Sequence, residues 1–410
     1  VKKALFIGLV WPEPTSSAAG WRILQLIRLF QQDYAVHFAC AAAKSEYSHK
    51  LSDWDVIEQE IALNDSSFDE YIQALQPDIV VFDRFMIEEQ YGWRVAQHCP
   101  QAVRILDTED LHFLRSARLK GHKTDESPNI YNETTWRELA SIFRSDLSLI
   151  ISEAEMTLLN DTFHVESYLL HYIPFIEDEI TDQHIRSLSP YSERKDFVFI
   201  GNFIHEPNWK TVEVLKKTIW PRLKKELPQA ELHIYGAYAP QKALQLHKPT
   251  EGFFIKGRAE DARLALEKYR VLLAPIPVGA GIKGKFVDAM YSGIPSVSST
   301  IGAEGMTKNG LWNGCITDDA DDFVRKSTRL YNSEEEWTSA QHIGFDLFNS
   351  SFTSKDYASD LLRMCRQLLE NLHIHRQNNF IGQMLNHHSL QSAKYMSLWI
   401  EAKNKNARQT

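Results

Sequence analysis

The chain has 410 residues, 43% hydrophobic and 24% charged, a soluble globular composition too long for one ordinary core, so two domains are expected. A formal net charge of −9 argues against general nucleic-acid binding. Cys40, Cys99, Cys315 and Cys365 are scattered with no CxxC pair, which argues against a disulfide framework or a zinc site and makes reduced, cytoplasmic thiols the expectation.

Lys2 and Lys3 precede an apolar run, Ala4 to Trp11, that is too short for a secretory signal and stops at Pro12-Glu13-Pro14, so it reads as a buried strand. No run approaches the roughly twenty apolar residues needed to cross a bilayer, so any membrane contact, at the inner face, is expected to be peripheral. The first half then alternates strands and helices in the manner of a parallel sheet flanked by helices. Strands are predicted at 4–10, 36–41, 79–82, 102–106 and 147–151, and Ile23, Leu26, Ile27 and Phe30 form an apolar helical stripe between the first two. Asp83-Arg84 and Glu88-Glu89, after the third strand, are cleft candidates. Asp107-Thr-Glu109-Asp110-Leu-His112 follows the fourth and should face a cleft, with a helix cap by Asp107 or Asp110 as the structural alternative. Arg115, Arg118, Lys120 and Lys123 form a basic run that reads as a solvated helix face, with a face towards an anionic acceptor or phospholipid surface as the alternative. Ser152 with Glu155 three residues on is a capping-box signature.

Around Pro174 to Asp196 the sequence turns polar and reads as a linker. The predicted organisation is 1–175 as a first domain, 176–195 as linker, 196–350 as a second domain and 351–410 as terminal helices and tail. In the second series come a strand at 197–200, a helix over 211–227 kinked by Pro221, and strands at 231–235 and 253–256. Asp318 to Asp322 is predicted to be the acidic start of a helix.

Val271 to Met306 is the densest stretch. A buried strand ends at Pro275 and Pro277, Gly279, Gly281 and Gly284 allow a tight turn, and Lys283 and Lys285 stand at the mouth of a helix starting near Phe286. Free amides, the helix dipole and two ammonium groups together suit a pyrophosphate, and Asp288 on the same helix is placed to accept from ribose hydroxyls. No GxxxxGK[ST] run is present, and no GxGxxG follows the first strand.

FVFIGNFIHEPN at 197–208, ELHIYG at 231–236, GFFIKGRAED at 252–261, and GAGIKGKFVDAM with GIPSVSSTIGAEGM resemble, in order and spacing, the donor domain of group 1 retaining glycosyltransferases of the GT-B fold. RSDLSLIISEAEMTLL at 144–159 and WPEPTSSAAGWR at 11–22 are similar to that family's first-domain segments, the latter to its acceptor loop with Ser17 and Gly20. The resemblance implies two Rossmann-like domains facing a cleft, with a terminal helix crossing back to the first. It implies donor contacts from Gly201, Asn202, Phe254, Gly257, Arg258, Gly281, Ile282, Asp288 and Glu304, and acceptor contacts from Asp107 and Asp110. Lys283, Lys285, Glu109 and His112 are the candidate catalytic residues. The family's pair of glutamates falls here on Ala280 and Asp288, so one carboxylate is missing.

The expected reaction is metal-independent transfer of a sugar, with retention, from a nucleotide sugar to a glycan or lipid-linked acceptor in surface polysaccharide synthesis. No cofactor beyond the donor, no metal and no nucleic acid enter it. Its main burden is electrostatic, to stabilise the departing pyrophosphate. A nucleotide-sugar epimerase of the same architecture and a non-catalytic sugar-nucleotide-binding scaffold, the latter motivated by Ala280, are the alternatives.

Overall fold

A short aliphatic run bounded by turn residues suits a strand of a parallel sheet covered by helices, and the central strands of both sheets are such runs. The computed structural model describes residues 1–353 and 355–409. Its first sheet holds β1 (Lys3–Gly8), β2 (Ala35–Cys40), β3 (Ile57–Glu60), β4 (Ile79–Asp83), β5 (Val103–Asp107), β6 (Leu147–Ile150) and β7 (Leu170–Tyr172), in the order β3-β2-β1-β4-β5-β6-β7. The second holds β8 (Lys195–Ile200), β9 (Leu232–Tyr235), β10 (Phe253–Gly257), β11 (Tyr269–Ala274), β12 (Ser296–Ser298) and β13 (Gly314–Ile316), in the order β10-β9-β8-β11-β12-β13. All these pairings are parallel. The three strands that the sequence did not predict, β3, β7 and β13, are short edges; β3 is Ile-Glu-Gln-Glu with Ile57 exposed, and an edge needs no apolar run.

Helices follow the predicted stripes with two refinements. Ser17 caps the helix Ala18–Phe30 by accepting from the Gly20 amide at 3.1 Å, and Ile23, Ile27 and Phe30 enter the core beside Phe6. The helix predicted over 211–227 is three pieces: Glu206–Val214, a five-residue π turn at Leu215–Ile219, and Trp220–Glu226 with Pro221 in its first turn. The wider turn accommodates a proline that has no amide to give. Asp319 caps Ala320–Asn332 by accepting from Asp322 N at 2.8 Å, so the acidic cluster is a helix start.

The terminal segment divides between the domains. Glu334–Ser351 packs Trp337, Phe345 and Phe348 into the second core. Lys355–Asn378 crosses back and buries Leu361, Cys365, Leu368 and Leu372 in the first core, where Arg376 Nε meets Asp146 Oδ1 at 2.7 Å. Phe380–Gln409 then lies on the helices Phe85–His98 and Glu133–Arg144. In each sheet the strand order reverses beside the first strand of the domain, between β1 and β4 and between β8 and β11. Ligands of open parallel sheets bind at the carboxyl ends of strands at such switch points, which places the cleft.

Candidate active site

The loop between β11 and the helix Gly284–Tyr291 forms one wall. Gly281 has a φ of +61°, a conformation glycine adopts without strain, and a Cβ there would lie 2.8 Å from Asp110 Cβ across the cleft. The Lys283 side chain curls back so that Nζ donates to Gly281 O at 2.7 Å, and Lys285 Nζ donates to Asn208 Oδ1 at 3.1 Å. Among the described residues no carboxylate oxygen lies within 4.0 Å of either ammonium group. Burial pushes Lys283 down to about 8 against the pull of Glu304 and Glu155. Burial, helped by the neighbouring Lys283 charge, pushes Lys285 down to about 8 as well. Two cations at a helix N-terminus, with no carboxylate in direct contact, give this wall the chemistry that suits an anion.

Asn208 also shapes the turn after β8. Its Nδ2 donates to Asn202 O at 2.9 Å, and a Cβ on Gly201 would come within 2.6 Å of its Cγ, so Gly201 and Asn202 sit beside Lys285 through Asn208. Asp288 is partly buried and ion-paired with Arg263 Nε at 2.9 Å; Arg263 Nη2 continues to Glu177 Oε2 at 2.8 Å. Burial raises the Asp288 carboxyl while Arg263 opposes the shift.

The facing wall comes from the ends of β1, β4 and β5. Asp107 is fully buried against Arg22, whose Nη2 stands 2.9 Å from Oδ1 and whose Nη1 donates to Ile173 O at 2.8 Å. Beyond it Glu109 takes a φ of +63° and Arg84 one of +73°, strained backbone for residues with side chains. Burial, then the Asp107 charge, pushes Glu109 up to about 8, and its Oε1 has no hydrogen-bond partner. Asp110 is held well below the usual carboxylate range: burial opposes its charge, but Arg115 and then His112 prevail. His112 itself begins the helix His112–Thr124, with Nδ1 3.1 Å from Asp110 O and 3.5 Å from Glu138 Oε1. Glu138 takes the His112 and Phe113 amides at that helix start, so neither Asp107 nor Asp110 caps it.

The two walls touch. Arg118 makes a bidentate pair with Glu304, both oxygens at 2.7 Å, and reaches Gly279 O at 2.8 Å. Burial opposes the Glu304 charge, yet Arg118 holds its carboxyl below the usual value. Glu155 Oε1 accepts from Leu111 N at 3.1 Å and from Gly281 N at 2.7 Å. Burial and the nearby Asp110 charge push it up to about 8, and Oε2 is without a partner. Arg258, after Gly257 at the end of β10, stacks 3.5 Å from the Tyr47 ring and hydrogen-bonds Ser16. A Cβ on Gly284 would fall 2.6 Å from Ala18 Cβ, so the starts of two helices, one from each domain, meet at the cleft.

Residues 194–333 match the sequence profile described as glycosyl transferases group 1. The chain carries a group 1 glycosyl transferase domain. Its two-domain GT-B fold is shared with HepE from Anabaena solved with UDP and glucose, at 14% identity and a TM-score of 0.65 over 91% of this chain and 99% of that one. Sucrose-phosphate synthase from Thermosynechococcus elongatus matches at 15% and 0.64 over 90% and 100%. TarM from S. aureus, solved with fondaparinux, α-GlcNAc-glycerol and UDP, matches at 15% and 0.56 over 72% of this chain; the chain spans 58% of TarM. No curated protein sequence matches the chain.

In this two-domain fold the structure gathers Gly281, Ile282, Lys283, Lys285, Glu304 and Asp110 at the middle of the cleft, with Glu109 and Asp107 deeper in the first domain. Ser17 and Gly20 serve the loop after β1 structurally: Ser17 caps the following helix, and Gly20 leaves no room for a side chain against Glu13. Phe254 stands apart on the edge strand β10, edge-on to His233 and His247 at 5.0 and 5.7 Å. Ala280 packs with the first domain's core, so an apolar contact fills the place of the family's first glutamate. Two sequence expectations need correction. Glu155 does not close a capping box, because its carboxyl accepts from the Leu111 and Gly281 amides instead and Ser152 makes no side-chain cap. Arg115 and Arg118 are not a solvated face; they line the cleft, and only Lys120 and Lys123 of that run are exposed. The three-residue spacing of Arg115 and Arg118 on one helical face was the available signal. Arg263 and Asn208 carried none.

Proposed function

We propose that the chain transfers a sugar from a nucleotide sugar to a hydroxyl of a glycan or lipid-linked acceptor, with retention and without a metal, in the synthesis of a surface polysaccharide. The observation that carries this reading is the pair of partly or wholly buried, ionically unpaired ammonium groups, Lys283 and Lys285, at a helix start that faces the other domain. A pyrophosphate there would receive both charges and the free amides. In the reaction the anomeric carbon's bond to the pyrophosphate breaks, and its electron pair leaves with the phosphate oxygen. The acceptor oxygen bonds to the same face, and its proton passes to that phosphate oxygen. In this reading Glu109 and Asp110, on the facing wall, meet the acceptor, and the raised Glu109 carboxyl suits it to donating a hydrogen bond.

The test is release of nucleoside diphosphate from a panel of nucleotide sugars, with and without EDTA, followed by NMR of the product's anomeric configuration. Loss of activity in EDTA overturns the metal-free reading, and an inverted anomer overturns retention. An epimerase reading draws on one observation, the two carboxyls Glu109 and Glu155 that both stand at about 8 with an oxygen unsatisfied. Deuterium incorporation into the donor sugar from D2O without acceptor would favour it.

A further inference from the structure

The last described helix, Phe380–Gln409, offers a surface that the transfer reaction does not use. It is held to the first domain by one side only. A Cβ on Gly382 would lie 2.1 Å from Phe143 O, Arg104 Nη1 donates to Asn386 Oδ1 at 3.2 Å, and Arg94 Nη2 reaches Ser397 Oγ at 3.3 Å and Glu401 at 3.6 Å. With about 100° between successive residues, the opposite side carries Phe380, Ile381, Met384, Tyr395, Leu398 and Trp399. Phe380 is 69% exposed, Tyr395 64% and Trp399 61%, far more than a helix packed on a domain ordinarily shows at its large apolar positions.

Charge identifies the occupant. Residues 373–410 contain five basic residues and a single acidic one, Glu401, in a chain whose net charge is −9. Glu401 is engaged by Arg94 and Lys405, so the segment is positive towards solvent. The lysines border the apolar stripe on both sides: Lys394 and Lys405 on one, Lys403 on the other with its Nζ 5.3 Å above the Trp399 ring. Exposed aromatics between lysines match the boundary of an anionic bilayer, where rings enter the headgroup layer and ammonium groups reach phosphates. A second copy of the chain would set the same positive stripe against itself. Among the described residues no helix is long and apolar enough to cross a membrane, so this one would lie in the plane of the surface.

We propose that the exposed face of Phe380–Gln409 docks the first domain, the acceptor-side half of the cleft, on a membrane rich in anionic phospholipid. This goes beyond the transfer reaction and stands or falls without it. The test is co-sedimentation of the full chain with vesicles of phosphatidylcholine alone and of phosphatidylcholine with phosphatidylglycerol, at low and high salt. Binding is expected only with phosphatidylglycerol and is expected to weaken with salt. Tyr395→Ser with Trp399→Ser should reduce partitioning about tenfold or more. Lys403→Gln with Lys405→Gln should reduce it by a similar factor and flatten the salt dependence. All four side chains are exposed, so both variants should keep the wild-type melting temperature and the wild-type rate on a soluble acceptor. Partitioning unchanged in both variants, or equal on the two vesicle types, overturns the proposal. So does a dimer in light scattering that Tyr395→Ser with Trp399→Ser dissolves, because the stripe would then belong to a second copy.

Discussion

An ammonium group buried without a carboxylate is destabilising until an anion arrives, and Lys283 is 8% exposed with only a carbonyl as partner. Lys283→Met should therefore raise the melting temperature of the ligand-free protein while weakening nucleoside diphosphate binding about tenfold to hundredfold by calorimetry. The pH dependence follows from the direction of the shift. Folded Lys283 titrates near 8 and the free side chain near 10.5, so the unfolded chain binds more protons between them and the wild type gains stability as pH rises across that window. The gap between Lys283→Met and wild type should be widest below pH 8 and close towards 10.5. Nucleotide affinity should run the other way, falling as pH rises through 8. Glu155 has the opposite linkage: raised from 4.5 to about 8, its carboxyl favours the folded state fully below 4.5, and that contribution is lost as pH rises through 8. Glu155→Gln keeps an acceptor for the Gly281 amide and should melt higher than wild type at pH 8.5 but not at pH 4.5. Lys283 and Lys285 were legible in the sequence because glycine, lysine and a helix start are adjacent along the chain. The partners of Glu155 and Arg118 were not, since Gly281 and Glu304 lie in the other domain.

At the scale of elements, the cleft is set by how closely two helix starts approach. Gly284 opens one and Ala18 the other, and nothing larger fits between them. Gly284→Ala should push the donor loop away from the acceptor-side wall by a fraction of the new contact, and displacements of about 1 Å cost on the order of a hundredfold in rate. Thermal unfolding should change little, because Gly284 stands outside both cores. Ala18→Gly in the same chain should return most of the lost rate, a coupling that a double-mutant cycle on turnover measures directly. No rescue would mean that the loss came from the helix start itself. The central strands were readable in the sequence since burial on both faces forces an apolar run, whereas β3 and β13 need only backbone pairing and left no such mark. The π turn before Pro221 was visible only as a kink, because a proline announces that the helical ladder is broken without saying how it is repaired.

For the whole molecule, closure draws on polar contacts across the cleft: Arg118 with Glu304 and Gly279 O, Arg258 with Ser16, Tyr238 with Glu13 at 2.7 Å, Lys123 with Glu206 at 3.8 Å, and Glu155 with the Gly281 amide. A further contact sits at the linker, where Glu177 takes Trp21 Nε1 at 2.7 Å and Arg263 at 2.8 Å while Arg263 holds Asp288. The Arg118 pair is partly open to solvent, 18% and 28% by side chain, so salt screens it and its net worth is modest. A modest term nonetheless decides an equilibrium between open and closed domains when the competing states differ by little. Arg118→Ala should leave each domain folded but shift the population towards open forms, read as a larger radius of gyration in small-angle scattering. High salt should produce the same expansion in wild type and little further change in Arg118→Ala. A nucleotide bound at Lys283 and Lys285 should reclose the variant, because the anion supplies a new attraction for Arg115 on the facing wall. If Arg118→Ala scatters as wild type does at every salt concentration, closure is held by the linker and by the apolar seat of Ala280 in the first core rather than by charge across the cleft.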